Sequence, residues 1–341
     1  METAGFTYGS DTSGLVWGFL FGREAQPVAL DSNGARAWLL ENAGRGDGRE
    51  FIWLHFNLSH AASEKWLRSH VSLADEFYET LHQGSRSTRI ELAENTLIAV
   101  VNDVLHNFSF EASDISTLWL SVAQNIVISA RRSPLQSIER LRQAIIKHHD
   151  PIRSSVELLI HLLRDQADVL VNIVRDAVAR VDDIEDKLLA GRLVHKREDL
   201  GTLRRVLVRL QRLLAPEPAA LFRLLQRPPQ WMAELDTQEL RQSTEEFSVV
   251  LSDMSSLQER IKLLQEEIAA RVNEENNRSL FVLTIVTVLA LPINIIAGML
   301  GMNVGGIPLA QHPHGFWIIV GVIITFTVVA GWLVVRVQRN N

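Results

Sequence analysis

Cysteine is absent from all 341 residues. That absence excludes disulfides and thiolate metal sites, so any transition-metal binding must use His, carboxylate, carbonyl or water. Charge is missing from one long stretch, since no Asp, Glu, Lys or Arg lies between Arg278 and Arg336. No block of basic residues occurs either, and the net charge of −6 argues against nucleic acid as a partner. Residues 1–10 lack a basic segment followed by an apolar core, so no secretory signal is expected there. Residues 1–230 hold no P-loop, nucleophile elbow, zinc-hydrolase helix or cysteine nucleophile, which speaks against a membrane-anchored enzyme.

What is present is apolar length. Ser279 to Leu300 and Phe316 to Val335 are charge-free segments of about 20 residues, each long enough for a hydrocarbon core of roughly 30 Å. The chain is expected to cross a membrane twice. Arg271 and Arg278 precede the first segment, Arg336 and Arg339 follow the second, and the loop between has no Lys or Arg, so both termini should face the cytoplasm. Trp317 and Trp332 suit the interfacial positions that indole rings prefer. The expected organisation is a cytoplasmic α/β domain over 1–150, a long-helix stalk over 151–278, a first span over 279–300, a periplasmic loop over 301–315, a second span over 316–335 and a cytoplasmic tail over 336–341. The fold class is an α+β domain followed by long α-helices and two C-terminal transmembrane helices.

In the first domain, Leu15 to Phe21, Phe51 to Phe56, Thr96 to Val104 and Thr117 to Val122 are rich in β-branched and aromatic residues and read as strands. Ala61 to Arg68 and Val71 to Leu81 read as helices between them. A mixed sheet covered by helices follows. From Val156 to about Ala190, apolar residues recur at helical spacing, and Gly191 marks a break. Leu200, Leu203, Leu207, Leu210 and Leu214 continue the pattern until Pro216 and Pro218 end it, and Pro228-Pro229 reads as the turn before the last helix. There Phe247, Val250, Met254, Leu257, Ile261, Leu264 and Ile268 alternate steps of three and four, a heptad seam. No Pro or Gly interrupts the run from Asp236 to Leu291, so stalk and span read as one helix; a stalk ending near Asn276 is the alternative.

Asn277, Thr284, Thr287 and Asn294 fall on one helical stripe about 100° wide, and Leu280, Leu291 and Gly298 fall on the same stripe. An amide in hydrocarbon is costly unless it finds a partner or water, so this face should meet protein or a wet cavity. Copies around an axis would alternate polar rings with apolar constrictions, the devices by which channels coordinate and gate. Packing glue between helices is the plainer use of such residues. Two spans cannot enclose a pore, so transport requires an oligomer.

The stretch from Leu291 to Asn303, LPINIIAGMLGMN, followed by a second apolar span and a short basic tail, resembles the CorA superfamily of divalent-cation transporters. Within it the uncharged continuation Val304 to Leu309 is similar to the zinc-transporting ZntB branch, because magnesium-transporting members carry an acidic residue shortly after the Gly-Met-Asn triplet. The resemblance implies a homopentamer in the inner membrane whose first spans line the pore, with Gly301, Met302 and Asn303 at the periplasmic mouth. It also implies zinc as the transported ion, with protons as a coupled partner and no resident cofactor. A passive magnesium, cobalt or nickel channel, or a zinc efflux pathway, is the alternative within the superfamily.

His312 and His314 are candidate zinc or proton ligands in the loop, although two ligands fall short of a closed tetrahedral site. His148-His149-Asp150 is expected to be a helix terminus and Gly44 to Gly48 a turn without the Lys of a phosphate loop. Asp182, Asp183, Glu185 and Asp186 form an acidic run on a helix and are expected to be a solvated face.

Overall fold

The computed structural model describes residues 9–22, 26–42, 50–83, 88–111, 113–147, 152–190, 197–302 and 312–340. Two compact units divide at Gln265 and Glu266.

The first unit opens with β1 (Leu15–Gly22), β2 (Val28–Leu30), α1 (Ser32–Glu41), β3 (Glu50–Asn57), α2 (Ala62–His70) and α3 (Asp75–Gln83). Then follow β4 (Arg89–Ala93), β5 (Thr96–Val104), β6 (Ile115–Val122), β7 (Ile126–Arg131) and α4 (Gln136–Ile146). The seven strands form one sheet in the order β2-β1-β3-β7-β6-β5-β4. Only β3 and β7 pair in parallel, with Ile52 opposite Ile126 and Asn57 opposite Arg131. The strand period of two sorts side chains between the faces. Leu97, Ala99 and Val101 join one buried cluster with residues of α4 and with Val156, Leu159 and Leu162 of the helix that follows it, while Ile98 and Val100 join another with Trp38, Trp66 and Phe77 of α1, α2 and α3. A sheet apolar on both faces needs helices on both, and it has them.

The helical part comprises α5 (Ser155–Leu189), α6 (Arg197–Leu214), α7 (Pro216–Gln226) and α8 (Glu234–Leu300). Ser154 caps α5 by accepting the Glu157 N–H at 2.9 Å. Pro216 stops one helix and starts the next, because a proline at the first helical position has the right φ and no N–H to lose. The pair Pro216/Pro218 thus opens α7 and is more than a terminator. The heptad residues Phe247, Val250, Met254, Leu257, Ile261 and Leu264 are buried, with Phe247, Met254 and Ile261 fully so. Ile268 is only half-buried. Ser154 bonds Asp236 at 3.1 Å near the starts of α5 and α8, and Arg260 bonds Asp182 at 2.8 Å further along, so these helices run in the same direction.

The second unit holds the rest of α8 and α9 (Gly315–Asn340). As expected, α8 is a single helix of 67 residues with Pro292 inside it. It does not stop near Asn276. Two helical stretches, one in α8 and one over Gly315–Leu333, are long and apolar enough to cross a membrane, and their apolar windows are unburied. Gly191, Gly44 to Gly48 and His148-His149-Asp150 lie outside the described residues.

Candidate pore-lining site

Because α8 is unbroken from Glu234 to Leu300, the 100° step per residue holds across the whole stripe. Asn277, Leu280, Thr284, Thr287, Leu291, Asn294 and Gly298 therefore share one sector, and all seven are exposed in the single chain. Thr284 Oγ1 donates to the Leu280 carbonyl at 2.7 Å, and Thr287 Oγ1 donates to the Leu283 carbonyl at 2.9 Å. A hydroxyl whose hydrogen is committed to the helix backbone turns its lone pairs outward. Both threonines thus present oxygen acceptors, the donor type that hard cations take. Asn277 and Asn294 add carboxamide oxygens at the two ends of the polar series. Pro292 has no N–H to give the Val288 carbonyl, yet the helix runs through it.

At the end of the span, the Gly301 N–H bonds the Ala297 carbonyl at 3.0 Å, one step past the last helical residue. A Cβ at Gly301 would sit 3.1 Å from that carbonyl oxygen, so a side chain there is crowded. A Cβ at Gly298 would meet nothing within 4 Å, so its own chain does not require glycine there. Met302 is exposed. Asn303 and the continuation to Gln311 lie outside the described residues.

His312 and His314 lie just before α9. The His314 N–H donates to His312 Nδ1 at 3.2 Å, and Gly315 N–H donates to the His312 carbonyl at 3.0 Å. Neutral His312 must then carry its hydrogen on Nε2. Binding a metal at Nε2 would move that hydrogen to Nδ1 and cost the bond to His314. The two rings stand 6.2 Å apart. Among the described residues no three His, Asp or Glu side chains gather as a metal site.

The acidic run of α5 is an ion-paired surface: Arg260 of α8 reaches Asp182 and Glu185, and Lys187 reaches Asp183. These pairs are well exposed, where a pair contributes about 0–1 kcal/mol.

Sequence reading missed a group of buried polar residues in the first unit. His55, on β3, is fully buried, with Arg131 Nε donating to its Nε2 at 3.1 Å and Trp17 stacked on the ring at 4.1 Å. Its Nδ1 therefore carries the hydrogen and donates to Ser129 Oγ at 2.7 Å, an oxygen that also accepts from Trp53 Nε1. Burial first, and then the charges of Arg131 and Arg142, hold this imidazole well below the usual histidine range, so it stays neutral. Asp103 caps α4 by accepting from Ser137 N and Oγ, and burial nevertheless pushes its carboxyl up to about 6. The partners lie 34 to 76 residues apart in sequence, so no local pattern announced them.

The family model described as "CorA-like Mg2+ transporter protein" matches residues 48–336. The chain is 30% identical over 318 residues to the divalent cation transporter CmaX of Pseudomonas aeruginosa, a match covering 87% of this chain and 94% of that one. It is 25% identical over 266 residues to the zinc transport protein ZntB of Pectobacterium atrosepticum, covering 78% and 80% of the two chains. Among solved structures, full-length CmaX superposes with a TM-score of 0.78 at 26% identity, over 97% of this chain and 99% of that one. The CorA magnesium transporter of Methanocaldococcus jannaschii shares the fold, with a TM-score of 0.72 at 19% identity, over 93% of this chain and 96% of that one. The family match takes in most of the sheet, the long helices, the polar stripe and both apolar segments, and by it this chain belongs to the CorA family.

Proposed function

We propose that this chain is a divalent-cation transporter of a bacterial inner membrane, working as a homopentamer with zinc as cargo and protons moving with it. The observation that carries this reading is the stripe from Asn277 to Gly298. Thr284, Thr287 and Asn294 occupy one face of the apolar stretch of α8 that follows Arg278 and is unburied in the single chain, and Asn277 continues that face just before it. The two threonine hydroxyls donate to their own helix, but lipid cannot satisfy the Asn294 carboxamide, and an aqueous path shared by several copies can. CmaX and ZntB, named for divalent cations and for zinc, support the substrate class.

In this reading Asn277, Thr284, Thr287 and Asn294 form rings of neutral oxygen dipoles, and Leu280 and Leu291 form apolar constrictions between them. Gly298 leaves room where the stripe nears the mouth. Gly301, Met302 and Asn303 meet the incoming ion at the periplasmic side, where five carboxamides hold a hydrated cation without trapping it. Conduction needs release as well as binding, and uncharged ligands favour release. Zinc is preferred over magnesium because Val304 to Leu309 contains no acid to gather a strongly hydrated ion. Protons have no Asp or Glu to ride on between Arg278 and Arg336, so His312, His314 and pore water are the carriers. Both termini lie in the cytoplasm.

Reconstitution into liposomes tests the whole proposal. Zinc uptake should exceed magnesium uptake and should accelerate when protons are more concentrated outside. Magnesium uptake above zinc uptake, indifferent to the gradient, would instead make the chain a passive magnesium-type channel.

A further inference from the structure

Glu217 stands in the first turn of α7 and is fully buried. Its Oε2 accepts from Gln166 Nε2 at 3.3 Å, an amide that also donates to the Asn102 carbonyl at 2.7 Å. Its Oε1 has no hydrogen-bond partner. The side chain borders a small internal cavity whose other walls include Ile90, Leu97, Leu159, Leu163 and Leu221. That cavity measures about 10 Å³, the lower limit for one water. An ionised carboxylate in such a place would lack both solvent and counter-ion.

Among the described residues no cation counters its charge, and Arg209 and Arg212 on α6, the helix before α7, are exposed. From β5 comes Asp103, another carboxylate. From α5 comes Asp165, which Arg140 of α4 holds at 3.6 Å. On β4, Arg89 and Glu91 are paired with each other at 2.8 Å. On α7 itself, Arg223 is turned to the Ala219 carbonyl at 3.3 Å. Burial, with the negative charge of Asp103 added, pushes Glu217 up to about 8, although the Gln166 bond opposes the rise. Burial likewise lifts Asp165 to about 6.

We propose that Glu217 is a proton-binding switch of the first unit: as the neutral acid it seats α7 against the sheet, and on ionising it loosens α7 and the connection to α8. The anion can be stabilised only by water entering from outside, and water enters by parting α7 from β4 and α5. Arg227 to Ala233 joins α7 to α8, and Trp231 in that connection donates to the Asn95 carbonyl at 2.7 Å between β4 and β5. Displacement of α7 therefore reaches the start of the long helix. This inference is independent of which metal the protein carries.

Infrared spectra of the full chain in lipid nanodiscs, recorded against pH, test it. At pH 7 the two aspartates are mostly ionised, so the remaining protonated-carboxyl stretch should belong to Glu217. It should vanish with a midpoint near pH 8 and be missing in Glu217→Gln. Hydrogen exchange supplies the structural arm: at pH 9 the α7 amides of the wild type should exchange at least tenfold faster than those of Glu217→Gln. Absence of the pH 7 band in the wild type would overturn the switch, as would equal α7 protection in the two proteins. If Glu217→Gln fails to fold, the pH course of the wild-type band decides alone.

Discussion

Single residues in this protein differ most in whether their polar atoms find partners. The His55, Ser129 and Arg131 chain is closed, every nitrogen of the imidazole being used. Replacing His55 with Ala would leave the Arg131 Nε buried without its acceptor, and loss of such a partner costs about 1–3 kcal/mol. Chemical denaturation should register that loss. Glu217 is the open counterpart, and its linkage to pH has a definite sign. Its ordinary value is 4.5 and its folded value about 8, so the native state holds an extra proton between them. The unfolding constant then rises about tenfold per pH unit through that window and levels above it. His55, kept neutral by burial, acts oppositely, but only below its ordinary 6.5. Between pH 6.5 and 8 the melting temperature should therefore fall, and in Glu217→Gln it should stay level over the same range. On the stripe, Thr284→Val with Thr287→Val keeps shape and removes the outward oxygens. Zinc uptake by the double variant should drop by about tenfold or more, on the scale of one lost charge-dipole contact per ring, with an unchanged melting temperature.

At the scale of elements, legibility followed the strength of local pattern. The strands β1, β3, β5 and β6 were readable because aromatic and β-branched residues crowd them. The three-residue β2 is too short to show a period, and β4, Arg-Ile-Glu-Leu-Ala, mixes charges into an edge strand. α7 was hidden by Pro216 and Pro218, which mark an end and a beginning equally well. The heptad seam of α8 was plain in sequence and is buried in the structure from Phe247 to Leu264, and the stripe is visible for the same reason: both are periodicities of one uninterrupted helix. What could not be read was pairing across the sequence, as in Gln166 with Glu217 or Arg260 with Asp182. The seam also makes a prediction. Phe247 is fully buried, so Phe247→Ala should destabilise the first unit by about 3–5 kcal/mol, measured by denaturant unfolding.

For the molecule as a whole, the question is what covers the polar face of α8. A single chain leaves Asn277, Thr284, Thr287 and Asn294 exposed together with the apolar residues around them. Lipid suits the apolar residues, and only water or another copy suits the Asn294 carboxamide of the stripe. The absence of cysteine makes this directly measurable, since every introduced thiol is unique. Single Cys substitutions along the first span, in the reconstituted protein, would be treated with a membrane-impermeant thiol reagent while zinc uptake is followed. Cys at Thr284, Thr287 or Asn294 should react and block uptake, and zinc should slow the reaction, whereas Cys at Val282, Val286 or Ile293, on the opposite face, should do neither. Reactivity that follows depth in the membrane regardless of face, or uptake untouched by modification of the stripe, would contradict a pore lined by α8.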